Sequence, residues 1–367
     1  MDGFDVAIVG AGIAGASLAA ELAPRMHVLL LEAEDTPGYH ATGRSAAFWS
    51  ESYGGPLVQP LTTASGPWLR APPPRFGSRS FLSARGALHL GRDDDASALA
   101  DLQAAFAQSG VPLHPVDPAT ILSGLRREWT RGLLEPSCAD IDVARLHAAY
   151  LKAARISGAA LWTSAAFLSA KRFADHWQIE TRAGSVTAGL LVNAAGAWAD
   201  HVAISAGLMP IGITPYRRTI AQLRITPPVE HDLPLIIDVS GGFYFKPEAG
   251  GRLWLSPHDE TADTAGDVAA EEIDVATAID RFQSVVDWQV AALEHRWAGL
   301  RSFAPDRLPV YGFDAREPRF FWCVGQGGYG IQTAPAAAQL CGHLIAPGIT
   351  APPPGVLPVH FDPRRFA

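Results

Sequence analysis

The sequence predicts a mixed α/β fold in which one α/β domain is interrupted by the strands of a second, antiparallel domain. Three stretches, 5–24, 189–200 and 320–345, each carry an apolar strand, a turn of small residues and a helix. Segments between them show the alternation and the turn residues of antiparallel strands. We therefore place the α/β domain at 1–75, 143–206 and 297–367, and the second domain at 76–142 and 207–296.

Composition narrows the class of protein. The chain has 367 residues, 48% of them hydrophobic and 18% charged, with a net charge of -8. This length exceeds what a single core usually supports, which favours two domains. No run of Lys and Arg is present, so nucleic acid and anionic membranes are not expected as partners. Three distant cysteines without metal-ligand spacing predict neither a disulfide framework nor a metal site, and the chain is expected to be cytoplasmic without a transmembrane segment.

The first stretch is the most specific. "DVAIVG" (5–10) is a buried parallel strand, "AGASLAAELAP" (14–24) is a helix and "HVLLLEAE" (27–34) is a second strand. Gly10, Gly12 and Gly15 have the GxGxxG spacing of a Rossmann-like dinucleotide site, and Glu32 follows at the distance of the ribose-binding acid. An NAD site and an FAD site both satisfy this pattern, and a turn that binds nothing is the less favoured interpretation.

The remaining elements follow from local pattern. Helices are predicted over 95–110, 142–158 and about 271–294, the first two running from an aspartate to a glycine. Strands are predicted at 86–91 and 132–137. "GGFYFKPEAGGRLWLSP" is predicted to form a hairpin that turns at Gly250 and Gly251.

The segment "GYHATGRSAAF" (38–48) suits neither a helix nor a strand. By composition alone it is a surface loop. A chain that bound NAD would be expected to continue with further β-α units after Glu32, and this one does not. A glycine-rich segment with hydroxyl groups and an arginine suits a longer cofactor instead.

Six sequence motifs occur along the chain in the order typical of a known protein family. "GAGIAGASLAAEL", "EAEDTPGYHATGRSAAF", "ADID…LHAAYLKAAR", "LVNAAGAWAD", "WAGLRSF" and "GQGGYGIQTA" resemble the D-amino-acid oxidase/dehydrogenase family, nearly from end to end. The resemblance implies a Rossmann-like FAD-binding domain with an inserted antiparallel-sheet substrate domain. It also implies non-covalent FAD, a small D-amino acid as the substrate, and an electron acceptor such as a quinone or another carrier.

The resemblance also implies the residues that contact the cofactor. They fall in the first glycine turn and the ribose acid, the 38–48 segment, a second turn and a third turn that opens the last helix. These residues are Gly10, Gly12, Ile13, Ala14, Gly15, Glu32 and Ala33; Thr42, Gly43, Arg44, Ser45, Ala46 and Ala47; Ala195, Gly196 and Trp198; and Gly328, Gly330, Ile331, Gln332 and Thr333.

On the substrate side, Arg301 and Arg218 resemble the arginines of the family that bind the carboxylate, with Arg301 in the better-matching motif. A planar guanidinium bonds both carboxylate oxygens at once. Without the resemblance, a surface ion pair is the favoured role for either arginine. Arg217 is expected to face away from Arg218 on a strand. Tyr53 and Tyr244 resemble tyrosines that contact the substrate, although a core role suits Tyr244 equally.

The catalytic set implied by the resemblance also includes Gly328, whose carbonyl would receive the substrate amine, together with Gln332 and Phe48. Two positions depart from the members that oxidise arginine: their glutamate that holds the guanidinium falls at Ala87, and an active-site histidine falls at Phe48. We expect a preference for apolar or aromatic D-amino acids. Glu51 either replaces the missing acid or lies in solvent, and solvent is favoured.

The expected reaction is hydride transfer from the substrate Cα to flavin N5, followed by hydrolysis of the imino acid to a 2-oxo acid and ammonia. The sequence offers no obvious general base, so the amine is expected to arrive neutral and the rate to rise with pH. Two alternatives stay open: an amine oxidase of the glycine or sarcosine type that releases hydrogen peroxide, and a flavin electron-transfer protein without turnover.

Overall fold

The computed structural model describes residues 3–348 and 350–367. The helices are α1 Ile13–Leu22, α2 Gln59–Arg70, α3 Ala96–Phe106, α4 Val143–Ile156, α5 Ala199–Ser205, α6 Glu272–Gln283 and α7 Gly330–Ile345. The strands are β1 Gly3–Val9, β2 Val28–Leu31, β3 Phe48–Trp49, β4 Leu82–Ala84, β5 Ala87–Gly91, β6 His114–Val116, β7 Arg131–Glu135, β8 Ala139–Ile141, β9 Ala160–Trp162, β10 Phe167–Arg172, β11 Trp177–Thr181, β12 Gly184–Asn193, β13 Thr214–Thr226, β14 Leu235–Asp238, β15 Tyr244–Glu248, β16 Arg252–Ser256, β17 Thr261–Ala262, β18 Gln289–Phe303, β19 Val310–Phe313 and β20 Phe320–Val324. Residues 1, 2 and 349, which fall in the ranges predicted for the FAD-binding domain, lie outside the described residues.

The α/β domain is built on an eight-stranded sheet with a parallel centre. β20, β12, β1, β2 and β9 run parallel in that order, and the β10–β11 hairpin and β19 add antiparallel edges. The central strands are apolar on both faces because helices cover the sheet. α1 is alanine-rich, and its small side chains let it pack closely against α4 and α7.

The second domain is a nine-stranded, largely antiparallel sheet. Its strands follow the order β17, β13, β16, β15, β14, β5, β7 and β6, and β18 pairs with β13 along nearly their whole length. The hairpin of β15 and β16 turns at Gly250 and Gly251, which both adopt positive φ angles, as predicted. A small sheet of β3, β8 and β4 lies outside these two sheets. The predicted fold class is confirmed.

The helices predicted over 95–110, 142–158 and about 271–294 begin within one residue of those bounds and end before them. α4 begins after Asp142, whose side chain accepts the Arg145 N–H at 3.1 Å, and α3 ends at Phe106, before the predicted Gly110. The helix predicted over 271–294 is wrong beyond Gln283, where α6 ends. The following residues form β18 from Gln289, because hydrogen bonds to β13 decide their conformation.

β18 also crosses the domain boundary that the sequence placed before residue 297, so Arg301 belongs to the antiparallel sheet. The domain ranges themselves stay a prediction. Among the described residues, no helix is both long enough and apolar enough to cross a bilayer.

Candidate active site

The first glycine turn connects β1 with α1 and lines a cavity. Gly10 has a φ angle of 102°, and a Cβ there would lie 2.5 Å from the carbonyl oxygen of Ala194. A Cβ on Gly15 would collide with the carbonyl of Gly10. The helix therefore packs as closely on the strand as the spacing predicts. α1 starts after Gly12; its first N–H, of Ile13, donates to the Thr42 hydroxyl, and the next two N–H groups, of Ala14 and Gly15, are left for an anion.

Glu32 follows the last residue of β2 and lines the cavity, together with Ala33. Its side chain is buried. One carboxylate oxygen accepts the Ala11 N–H at 3.0 Å, and the other accepts the Glu34 N–H at 3.1 Å. A carboxylate has about four acceptor positions. Glu32 is thus held in place by the protein and retains acceptor capacity for two ribose hydroxyls.

The 38–48 segment turns along the side of the cavity. The hydroxyl of Thr42 accepts the Ile13 N–H at 3.0 Å, which joins the segment to the start of α1. Arg44 lines the cavity, but its guanidinium bonds to the carbonyls of Val268 and Ala298 and forms an ion pair with Asp267. The segment is therefore braced against both domains and is not a free surface loop.

Two further turns of small residues complete the wall of the cavity. Ala195, Gly196 and Trp198 line it beside the first turn, and Gly328, Gly330 and Ile331 line it at the start of α7, which also lacks a side-chain cap. The three turns thus converge on one cavity of about 590 Å³, within the range of about 300–1,000 Å³ for small-molecule sites.

Several predicted residues lie next to this wall and not in it. They are Gly15, Gly43, Ala47, Phe48, Tyr53, Gln332 and Thr333. Gln332 is 1% exposed; its carbonyl oxygen accepts the Ser50 N–H, and its amide donates to the Tyr53 carbonyl and the Thr62 hydroxyl. Its side chain is committed to the protein, so a direct contact with substrate or cofactor stays a prediction.

Arg301 lines the same cavity as Glu32. Its Nη1 donates to the Tyr53 hydroxyl at 2.6 Å and its Nη2 to the Tyr244 hydroxyl at 3.4 Å. Among the described residues it forms no ion pair with a carboxylate. A Cβ on Gly328 would collide with the Tyr53 hydroxyl and lie 2.8 Å from Arg301 Nη1. The structure therefore brings together four residues that the sequence placed in one site: Tyr53, Tyr244, Arg301 and Gly328.

Arg218 also lines the cavity, but it has different partners. Its side chain donates to the Asp259 carbonyl at 2.7 Å and to Glu260 at 3.2 Å. Burial and the nearby charge of Arg301 lower the pKa of Arg218. Arg217 points away and pairs with three acids outside the cavity, as the strand alternation predicts. Of the two candidate arginines, Arg218 forms ion pairs with acids, whereas Arg301 forms none within the described part of the chain.

His258 is a site residue that sequence reasoning missed. Its ring packs edge-on against Tyr244 at 5.7 Å, and its Nδ1 lies 3.1 Å from the Gly241 carbonyl oxygen. Burial lowers the pKa of His258 to about 3, with further lowering from the charges of Arg218 and Arg301. This histidine is therefore neutral at physiological pH. No local pattern around "SPHDE" marks it, because its neighbours are brought together by the sheet.

Behind the tyrosines the surroundings are apolar. Ala87, Phe48, Ile220, Leu235 and Tyr244 form one buried cluster. Phe48 packs against the rings of Tyr53 and Tyr244 at 5.4 and 6.2 Å. Glu51 is half-buried and accepts the Thr63 hydroxyl at 2.5 Å, and it does not line the cavity.

A family model for FAD dependent oxidoreductases, named DAO, matches residues 5–344. The chain belongs to this family. Its cofactor is FAD. The residues that line the cavity fit that cofactor, since the glycines at the first turn leave the start of α1 accessible and Glu32 offers acceptors to a ribose.

The chain is similar to oxidases and dehydrogenases named for glycine, L-proline and dimethylglycine. Glycine oxidase from Geobacillus kaustophilus is 25% identical over 356 residues, which is 93% of each chain. Its crystal structure has a TM-score of 0.82 and covers 94% of this chain and 95% of that one at 23% identity. The crystal structure of L-proline dehydrogenase from P. horikoshii has a TM-score of 0.85 at 21% identity, and the match covers 99% of this chain and 97% of that one. Human mitochondrial dimethylglycine dehydrogenase is 27% identical over 258 residues, which are 64% of this chain and 29% of that protein.

Proposed function

We propose that the protein catalyses the FAD-dependent oxidative deamination of D-amino acids, with apolar or aromatic side chains preferred over arginine. The observation that carries the proposal is the environment of Arg301. A guanidinium withdrawn from bulk water needs a counter-charge, and the hydrogen-bond partners of Arg301 among the described residues are two tyrosine hydroxyls. The α-carboxylate of an amino acid supplies the missing charge and fits the two-pronged guanidinium.

The chain's own residues orient the substrate. Arg301 binds the carboxylate, and the hydroxyls of Tyr53 and Tyr244 fix the arginine and offer further hydrogen bonds to the same oxygens. The carbonyl of Gly328 accepts a hydrogen bond from the neutral amine. When bound, FAD would supply the two-electron oxidation of the substrate amine; the product imino acid is hydrolysed by water to a 2-oxo acid and ammonia. Positioning in a dry site is the main contribution of the protein.

The expected side-chain preference rests on two positions. The motifs resemble those of bacterial D-arginine dehydrogenase, whose glutamate for the guanidinium falls here at Ala87, although the relatives reported above are glycine oxidase and other amino acid oxidoreductases. That residue lies in the buried apolar cluster with Phe48, and Glu51 contacts Thr63 instead of the cavity. A lost charge-assisted bond costs about 1.5–3 kcal/mol, which disfavours arginine.

Anaerobic mixing tests this proposal. Purified holoenzyme is mixed with D-phenylalanine, D-leucine, D-methionine, D-arginine and the L enantiomers, and the visible flavin absorbance is followed. We expect the apolar D-amino acids to bleach the flavin fastest. If no amino acid bleaches it, amine oxidation is wrong; if D-arginine reacts much faster than the apolar substrates, the pocket argument is wrong.

A second candidate is an amine oxidase of the glycine or sarcosine type, which passes electrons to O₂ and releases hydrogen peroxide. The similarity to glycine oxidase over 93% of both chains favours it. Glycine and sarcosine are therefore added to the panel, and peroxide is measured in air. Turnover with peroxide supports this oxidase, whereas turnover only with a quinone or an artificial dye supports a dehydrogenase. A flavoprotein that no amine reduces is the remaining alternative.

A further inference from the structure

A buried polar cluster lies beneath the turn Ser50–Tyr53, in an otherwise apolar region. Glu135, at the end of β7, is fully buried. One of its oxygens accepts the Glu51 N–H at 2.8 Å. The other accepts the hydroxyls of Ser50 and Ser52 at 2.9 and 2.6 Å and lies 3.4 Å from His89 Nε2. The FAD site and the carboxylate site described above make no use of this group.

Glu135 is directed at the turn and away from the substrate. It pairs with Ala87 across the antiparallel strands, so an acid is present close to the position where arginine-oxidising members carry theirs. Its carboxylate, however, is absent from the cavity wall. A buried carboxylate is costly unless donors surround it. Here the donors come from the backbone and hydroxyls of the turn, so carboxylate and turn fix each other.

The same turn is held from its other side by the α/β domain. Gln332, on α7, accepts the Ser50 N–H at 3.1 Å and donates to the Tyr53 carbonyl at 3.1 Å. The turn is thus fixed between Glu135 of the antiparallel sheet and Gln332 of the first domain. It ends at Tyr53, whose hydroxyl bonds to Arg301.

We propose that Glu135 is a positioning residue that places the Tyr53 hydroxyl against Arg301 and so sets the affinity of the site for carboxylates. The inference rests on the proposed function only in that Arg301 is taken to bind the α-carboxylate. Glu135 touches neither substrate nor cofactor. Any effect of Glu135 on carboxylate binding must therefore pass through Tyr53. This dependence distinguishes Glu135 from a residue that merely stabilises the fold.

The test uses benzoate, a carboxylate with no oxidisable amine, titrated into the holoenzyme by calorimetry, and also the KM for D-leucine. We expect Glu135→Gln to weaken benzoate binding and to raise KM about tenfold, which corresponds to about 1.4 kcal/mol, with FAD content unchanged and kcat within about twofold. Glu51→Gln is the control, because that carboxylate lies in the same turn but contacts Thr63. It should leave both values unchanged.

A double-mutant cycle supplies the decisive comparison. In a Tyr53→Phe background, Glu135→Gln should have no further effect on benzoate affinity, because the hydroxyl it positions is gone. Equal effects in both backgrounds, or no effect in the wild-type background, would overturn the inference. If Glu135→Gln does not yield folded holoenzyme, Ser52→Ala removes the 2.6 Å bond to the carboxylate and is judged by the same cycle. If the protein binds benzoate, Arg301→Ala abolishes that binding and no amino acid is oxidised, the proposed function is refuted but the inference about Glu135 is not.

Discussion

Arg301 is the residue on which the substrate assignment depends, and its replacement gives the sharpest prediction. Arg301→Ala removes the charged donors from the cavity and leaves the Tyr53 and Tyr244 hydroxyls as neutral partners. A hydrogen bond to a charged group contributes about 1.5–3 kcal/mol. At about 1.4 kcal/mol for each factor of ten, we expect KM for a D-amino acid to rise about 10- to 140-fold.

The assay is the rate of anaerobic flavin reduction at increasing D-leucine concentration, with FAD content measured in parallel. Arg301→Lys retains the charge but not the planar fork, so its effect should be smaller than that of alanine. Arg296→Ala is the control: it lies on the same strand, its side chain is exposed and its partner is Glu272. An unchanged KM for Arg301→Ala, with normal FAD content, would refute carboxylate binding by this residue.

Three further predictions concern the cofactor and the pH dependence. Gly10→Ala should give protein without bound FAD, because the residue has a φ angle of 102° and its Cβ would lie 2.5 Å from the Ala194 carbonyl oxygen; yellow protein with full FAD content would contradict this. Glu32→Ala should weaken FAD binding at least about tenfold, measured by titrating apoprotein with FAD, and unchanged affinity would exclude Glu32 as the ribose acceptor. The value of kcat/KM should rise with pH as the substrate amine loses its proton. His258→Asn should keep this rise of kcat/KM with pH, since the pKa of His258 is already about 3. Asparagine also tolerates the positive φ angle of this position. If the rise is lost in His258→Asn, His258 is the group that titrates.

Local motifs made the cofactor end of the molecule predictable. The strand, the turn and the helix around Gly10, Gly12 and Gly15 are contiguous in sequence, so their spacing reports their geometry directly. The alternation of a strand similarly placed Arg217 and Arg218 on opposite faces. The structure agrees in both cases because each pattern is read within one or two adjacent elements.

Long-range pairing explains what the sequence did not predict. The sequence predicts a helix through residues 284–294, yet from Gln289 onward the chain pairs with β13, more than sixty residues earlier. Glu135 ends an apolar strand and shows no local sign of a special role. Its donors lie in the turn Ser50–Ser52, and only the folded chain brings them to it.

A crystal structure of the holoenzyme with bound benzoate tests the central claim most directly. We predict that FAD extends from Glu32 along the three glycine turns and that the benzoate carboxylate is bonded to both terminal nitrogens of Arg301. A carboxylate bound elsewhere while Arg301 retains only its two tyrosines, or FAD outside this cavity, would contradict the account.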